Sequence, residues 1–227
     1  MRSLSRFCNT LMALFALMLF GCETSLPGRS AEDEDYAFRV KHVDFRYSKV
    51  PVIKQSGQRS CGAAALTSLI RYWQEDATIT EPELRASYPP DSPTGYPLLQ
   101  LREIAVDEEL LAFAVTLDQN PMKQLSGHLR KGRPVLVAVE LPVGRYFAQN
   151  LPVIETLDRR TLQVNGWGNQ LKAHFLVVMG ESHDQLLVMD PQYGHVDVDK
   201  VDFERFWKQT GYAALITSAK PQGVTVE

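Results

Sequence analysis

The spacing of apolar positions changes partway along the chain. From Cys61 onward, Ala64, Ala65, Leu66, Leu69, Ile70, Tyr72 and Trp73 recur at helical intervals, and the alanines favour helix. Ser60 stands where an N-cap belongs, which puts Cys61 in the first turn. In "TEPELRASY", Thr80, Pro82 and Glu83 have the layout of a capping box and predict a short second helix. "GYPLLQLREIAVDEEL" predicts a third, with Leu98, Leu101, Ile104 and Ala105 on one face. A strand is expected from Leu110 to Leu117. Asn120 is the expected cap of a fourth helix, Met122 to Arg130, stopping at Gly132.

Beyond this point the pattern becomes that of strands. "PVLVAVEL", Pro134 to Leu141, is a short continuous apolar run, as expected of a strand buried on both faces. Further strands are predicted at Ala173 to Gly180, at Gln185 to Asp190 and around His195. "DFERFW" follows as a short helix and "GYAALIT" as a last strand. Between them, Pro142 to Lys172 has no clean period. Its one suggested element is a hairpin turning at Asn165 and Gly166, with Trp167 a candidate exposed aromatic. Irregular stretches of this length often serve function, here as a lid, a substrate flap or an obstruction. Helices dominate the first half and strands the second, which predicts an α+β fold with one main domain.

The N-terminus reads differently. Arg2 and Arg6 precede an apolar run from Leu11 to Gly21, the layout of an export signal and too short for a comfortable membrane span. A plain cleaved signal and an uncleaved anchor share this layout. The end of the run, "LFGC", resembles the lipobox of bacterial lipoproteins. That resemblance implies that residues 1–21 are a signal peptide and that Cys22 is lipidated. It places the protein on the periplasmic face of the bacterial cell envelope, and Glu23 favours the outer membrane. Residues 22–43 are polar, acidic and poorly periodic, and read as a tether. A folded domain is expected over residues 44–219, with a tail at 220–227.

Charge and composition narrow the function. The chain has 227 residues, 44% of them hydrophobic, and a formal charge of −3 with no basic block, so a nucleic-acid partner is not expected. No spacing suited to a metal is present, and neither a metal nor a cofactor is expected. Of three cysteines, Cys8 belongs to the leader and Cys22 to the lipid anchor, which leaves Cys61 without an intramolecular partner.

A reactive cysteine needs help to form its thiolate, a base that later acts as acid, and donors for an oxyanion. A helix N-terminus supplies part of the first. Of the five histidines, His174 is the candidate base, because a polar ring at the mouth of a buried apolar strand calls for explanation. A tight turn from Glu181 to Asp184 would pair its strand antiparallel with the next. The start of one then lies beside the end of the other, and Asp190 becomes the neighbour that orients His174. Gln55 and Gln58 are both candidate oxyanion donors, along with the Cys61 backbone N–H.

The stretch "QSGQRSCGAAAL" resembles the C39 family of papain-like cysteine peptidases. So do "GYPLLQLREIA" and "AHFLVVMGESHDQLLVMDPQYG", and the three occur in the family's order. The resemblance implies a papain-like fold, a helical half packed on an antiparallel sheet. It implies Cys61 as nucleophile, His174 as base, Asp190 as its orienter, and Gln55 rather than Gln58 as oxyanion donor. Many members have Asp directly before the cysteine, where this chain has Ser60. The expected substrate is an exported peptide or protein, cut after small residues in a double-glycine-like manner. Secretion-system components are candidate partners, since the stand-alone exported type is similar to the C39-like protease of functional-amyloid secretion systems. Two rival functions share the same residues: a catalytically silent peptide-binding or secretion-accessory protein, and a cell-wall peptide amidase.

Overall fold

The computed structural model describes residues 47–142 and 171–220. The expected signal peptide, the expected tether with Cys22, the expected hairpin at Asn165 and Gly166, and Trp167 lie outside the described residues, as do His42 and the tail beyond Lys220. In chain order the elements are α1 (Cys61–Trp73), α2 (Glu81–Ser87), α3 (Leu98–Asp107), β1 (Leu110–Thr116), α4 (Pro121–Leu129), β2 (Val135–Pro142), β3 (Leu171–Glu181), β4 (Gln185–Asp190), β5 (Gly194–Asp199), α5 (Lys200–Lys208) and β6 (Ala213–Ala219). The α+β reading holds. The strands form one sheet in the order β1-β6-β2-β3-β4-β5, and every paired neighbour is antiparallel.

Both faces of the sheet are covered, which explains why its central strands read as continuous apolar runs. On one face α1 packs with Leu84 of α2 and with Leu101, Ile104 and Ala105 of α3, against Val177, Met179, Leu187 and Met189 of the sheet. On the other, Leu125 and Leu129 of α4 and Phe203, Phe206 and Trp207 of α5 cover Leu176, Val178, Leu186 and Val188. Odd positions of β3 and β4 therefore serve one core and even positions the other, as a two-residue period requires. Each buried Leu or Val here contributes about 1.5–3 kcal/mol of transfer free energy.

Helix α1 is the central helix, buried continuously from Gly62 to Ile70. Thr67 and Ser68, buried within it, satisfy themselves locally: Thr67 donates to the Ala63 carbonyl and Ser68 to that of Ala64. The capping box at α2 is present in both directions, between Thr80 and Glu83.

Three local expectations change. Ser60 precedes α1, yet its hydroxyl makes no cap bond. It turns back onto its own loop, donating to the Gly57 carbonyl and accepting from the Gly57 N–H, both at 3.1 Å. Asn120 before α4 takes a left-handed conformation, φ 54°, and makes no side-chain cap bond either. Helix α5 starts at Lys200, two residues before "DFERFW". Asp199, the last residue of β5, accepts hydrogen bonds from the N–H groups of Val201 and Asp202 and caps it.

Residues 47–55 cross the sheet as a strap. Tyr47 bridges to Gly180, and the Ser48 N–H donates to Met179 O at 2.8 Å. Farther on, His195 Nε2 donates to the Val50 carbonyl at 2.8 Å, and the Gln55 N–H donates to Pro191 O at 2.8 Å. The strap thus delivers the loop before Cys61 to the turn that follows Asp190.

Candidate active site

Cys61 opens α1 as a free, half-buried thiol. Its helix is fixed closely against the rest of the site. A Cβ added to Gly62 would come within 3.2 Å of Leu101, Phe175 and Tyr96, so a glycine allows this approach and a larger residue would force it apart. Gly95, at φ +121°, lets the Ser92–Tyr96 loop approach the backbone of Arg59 on the other side.

His174 lies near the start of β3, opposite Val139 of β2, and is only 5% exposed. Antiparallel pairing of β3 with β4, with Val177 opposite Met189, returns the chain to the same end of the sheet. Asp190 ends β4 there, fully buried. Its Oδ1 is 3.2 Å from Nε2 of His174 and accepts the N–H groups of Gln192 at 2.6 Å and Tyr193 at 3.2 Å. The His174 ring also acts on Cys61, through hydrogen bonding and charge that together lower the thiol. Since Nε2 is engaged by Asp190, the nitrogen left for sulfur is Nδ1. Cys61, His174 and Asp190 therefore form one chain of contacts.

The electrostatics follow from these contacts. Burial pushes the Cys61 thiol up, but the hydrogen bond and charge of His174 and the backbone N–H groups of Phe175 and Gly62 outweigh it, and the net shift is down. For His174, burial disfavours the charged ring, yet the charge and hydrogen bond of Asp190, joined by Cys61, raise it to about 9. Asp190 is opposed by burial and still held below the usual carboxylate range, first by His174 and then by the amides of Gln192 and Tyr193. All three shifts favour a thiolate–imidazolium pair over a neutral thiol and imidazole.

Ser60 bears on this result. Because its hydroxyl is turned to Gly57, it does not compete for the first amides of α1, and the Gly62 N–H is left to the sulfur.

Gln55 is placed less simply. Its backbone ties it to Pro191, beside Asp190, but its side-chain Nε2 donates to the Gly57 carbonyl at 2.9 Å. One of its two amide hydrogens is thus committed to its own loop. Gln58 is exposed. The other histidines lie elsewhere: His128 on α4, exposed His183 in the β3–β4 turn, and His195 fastening the strap. Pattern alone did not single out His195. Its signal was a second polar residue, with Asp197, inside the buried run "GHVDVD". The Phe175 amide carried no sequence signal. Among the described residues, no group of three or more His, Cys, Asp or Glu is placed to hold a metal, and no helix is long and apolar enough to cross a membrane.

The model of the peptidase C39-like family matches residues 47–215. The chain belongs to the peptidase C39-like family. No significant match is found among curated proteins. Solved C39 structures share the fold. A double-glycine-motif protease from an AMS/PCAT transporter, crystallised with its leader peptide, superposes with a TM-score of 0.51 at 22% identity, over 77% of this chain and 94% of that one. A protein from Bacillus anthracis described as a C39-like peptidase gives 0.53 at 17%, over 78% and 98%. The peptidase domain of Streptococcus ComA, a bifunctional ABC transporter, gives 0.52 at 20%, over 74% and 98%. At these identities the likeness is one of fold, and it bears out the papain-like architecture expected from the C39 motifs.

Proposed function

We propose that the protein is an active cysteine peptidase. The supporting observation is the single imidazole, His174, hydrogen-bonded to both the Cys61 thiol and the Asp190 carboxylate. The Cys61 thiolate attacks the carbonyl carbon of a peptide bond, and the carbonyl oxygen takes the negative charge. The Cys61 backbone N–H and the remaining Nε2 hydrogen of Gln55 receive that oxyanion. Protonated His174 donates to the departing amine, leaving a thioester on Cys61. Water, deprotonated by His174, attacks the thioester and releases the carboxylic acid. Asp190 holds the ring in the tautomer that faces sulfur.

The substrate in this reading is an exported polypeptide cut after small residues. Support comes from the glycine and alanines beside Cys61 and from the fold shared with a double-glycine-motif protease. The leader layout supports an envelope protein anchored through lipid on Cys22 and acting at the periplasmic face, with the outer membrane favoured and secretion components within reach. Incubating the purified protein with exported proteins of the same envelope, and mapping new termini by mass spectrometry, tests this. Wild type should generate discrete termini and Cys61→Ala none; identical termini from both would remove the assignment.

One observation favours a second reading, a silent peptide-binding member: the engagement of Gln55 Nε2 by Gly57. In that case a peptide is retained by wild type and by Cys61→Ala alike, and no new terminus arises.

A further inference from the structure

The end of the domain remote from Cys61 holds a cationic cavity. Cys61 opens α1 and Tyr72 lies near its far end, about 16 Å along the helix axis. His174 lies near the start of β3 and Gly180 near its end, about 20 Å away. At that far end, between the strap, α1 and the loop after α4, is a cavity of about 460 Å³ whose walls include Ser48, Lys49, Tyr72, Arg130 and Lys131.

Two features mark it as more than a solvated surface. The first is Ser48, which is only 7% exposed. Its N–H is used by Met179, while its Oγ is buried and meets no hydrogen-bond partner among the described residues. A buried hydroxyl left unpaired is costly, and Ser48 lines the cavity, so an acceptor that settles against it there relieves that cost. The second is the imbalance of charge. Glu181 is the acid nearest Arg130, at 3.8 Å, but it is already bound by Lys200 at 2.9 Å and by the Ser126 hydroxyl at 2.6 Å. Lys49 and Lys131 have no acidic partner among the described residues. The positive field also reaches His128, which burial, then the charges of Arg133 and Lys131, push down. Cations at the C-terminal end of α4 complement its dipole, and that accounts for Arg130 and Lys131. It accounts neither for Lys49, which comes from the strap, nor for the buried Ser48 hydroxyl.

We propose that this cavity binds a phosphate-bearing anion. Three cations and a hydroxyl donor exceed what one carboxylate neutralises and suit a group with several acceptor oxygens and up to two charges. The site is separate from the Cys61 chemistry and stands whether or not the protein is a peptidase. A phospholipid headgroup and a soluble phosphate ester present the same chemistry. The chain enters the described domain at Tyr47, which also lines the cavity, so the stretch leading back to Cys22 begins there.

The test uses the exported chain with Cys22→Ser, so that no lipid anchor contributes. Glycerol 1-phosphate is titrated by calorimetry at low salt. In parallel, the protein is sedimented with phosphatidylglycerol vesicles and with phosphatidylcholine vesicles. Binding to either anionic probe is expected, with Lys49→Gln/Lys131→Gln weakening it about ten-fold or more. Ser48→Ala, a substitution too small to threaten the fold, should weaken it several-fold. Arg102→Gln/Lys208→Gln, a charge-matched change on exposed helix positions, should leave it intact. Response of the soluble arm alone assigns a free phosphate ester, and response of the phosphatidylglycerol arm alone a headgroup. Absence of binding in both arms, or binding undiminished by Lys49→Gln/Lys131→Gln, overturns the proposal.

Discussion

Nε2 of His174 lies 3.2 Å from Oδ1 of Asp190, a residue sixteen positions farther along the chain. The carboxylate oxygen is fixed before it meets the ring, since the amides of Gln192 and Tyr193 donate to the same atom. The turn after β4 therefore sets the carboxylate, and the carboxylate sets the imidazole.

Asp190→Asn keeps the shape of this contact and removes its charge. The leading contribution that raises His174 disappears with it. In wild type, turnover should fall on the alkaline side as His174 loses its proton near pH 9. In Asp190→Asn that limb should move toward the ordinary histidine range, and turnover should drop by about 100-fold or more. A pH–rate profile checks both, and an alkaline limb that stays in place would show that Asp190 does not govern the ring.

Protonation at the site also couples to folding. His174 is raised in the folded state, so its contribution to stability is complete below its unfolded value of about 6.5 and is lost as pH rises through the folded value. Cys61, lowered in the folded state, acts oppositely: its contribution is present above the unfolded thiol value and lost as pH falls through the folded one. Cys61→Ala separates the two. In that variant, stability measured by urea unfolding should decline steadily as pH rises above about 6.5, while Cys61→Ala/Asp190→Asn should be nearly flat over the same range. Equal slopes in the two variants would contradict the linkage.

Two glycines should respond oppositely to the same substitution. Gly62→Ala forces a methyl group to within 3.2 Å of Leu101, Phe175 and Tyr96 and should cost about 1–3 kcal/mol by overpacking. Gly127→Ala, inside α4, meets nothing within 4 Å and should add about 0.5–1 kcal/mol of stability. Urea midpoints measure both. A neutral Gly62→Ala would mean that the N-terminus of α1 is less closely held than the contacts around it indicate.

The parts of the site legible in the sequence were those set by periodicity and by a short connection. The helical run that opens at Cys61 and the apolar hairpin between Ala173 and Asp190 each had one economical arrangement, and together they brought His174 beside Asp190. What stayed illegible depended on where a polar side chain turns. Ser60 and Asn120 both sit where caps belong, yet Ser60 bonds to Gly57, and Asn120 adopts a left-handed backbone with no cap bond. Gln55 was placed by spacing, but its bond to Gly57 depends on the loop path, which spacing does not encode. Asp199 ends β5 and also caps the helix that begins one residue later, a second role that the strand pattern does not show.

The central claim is that His174 keeps the Cys61 thiol reactive. Its most direct measurement is the rate of Cys61 alkylation by iodoacetamide as a function of pH, read by mass spectrometry in wild type and in His174→Ala. Wild type should show its inflection below the ordinary thiol value and label readily near neutrality. In His174→Ala burial acts with much less opposition, so the inflection should move up and neutral labelling should slow by about ten-fold or more. A wild-type inflection at or above the ordinary thiol value, unmoved by His174→Ala, would contradict the account.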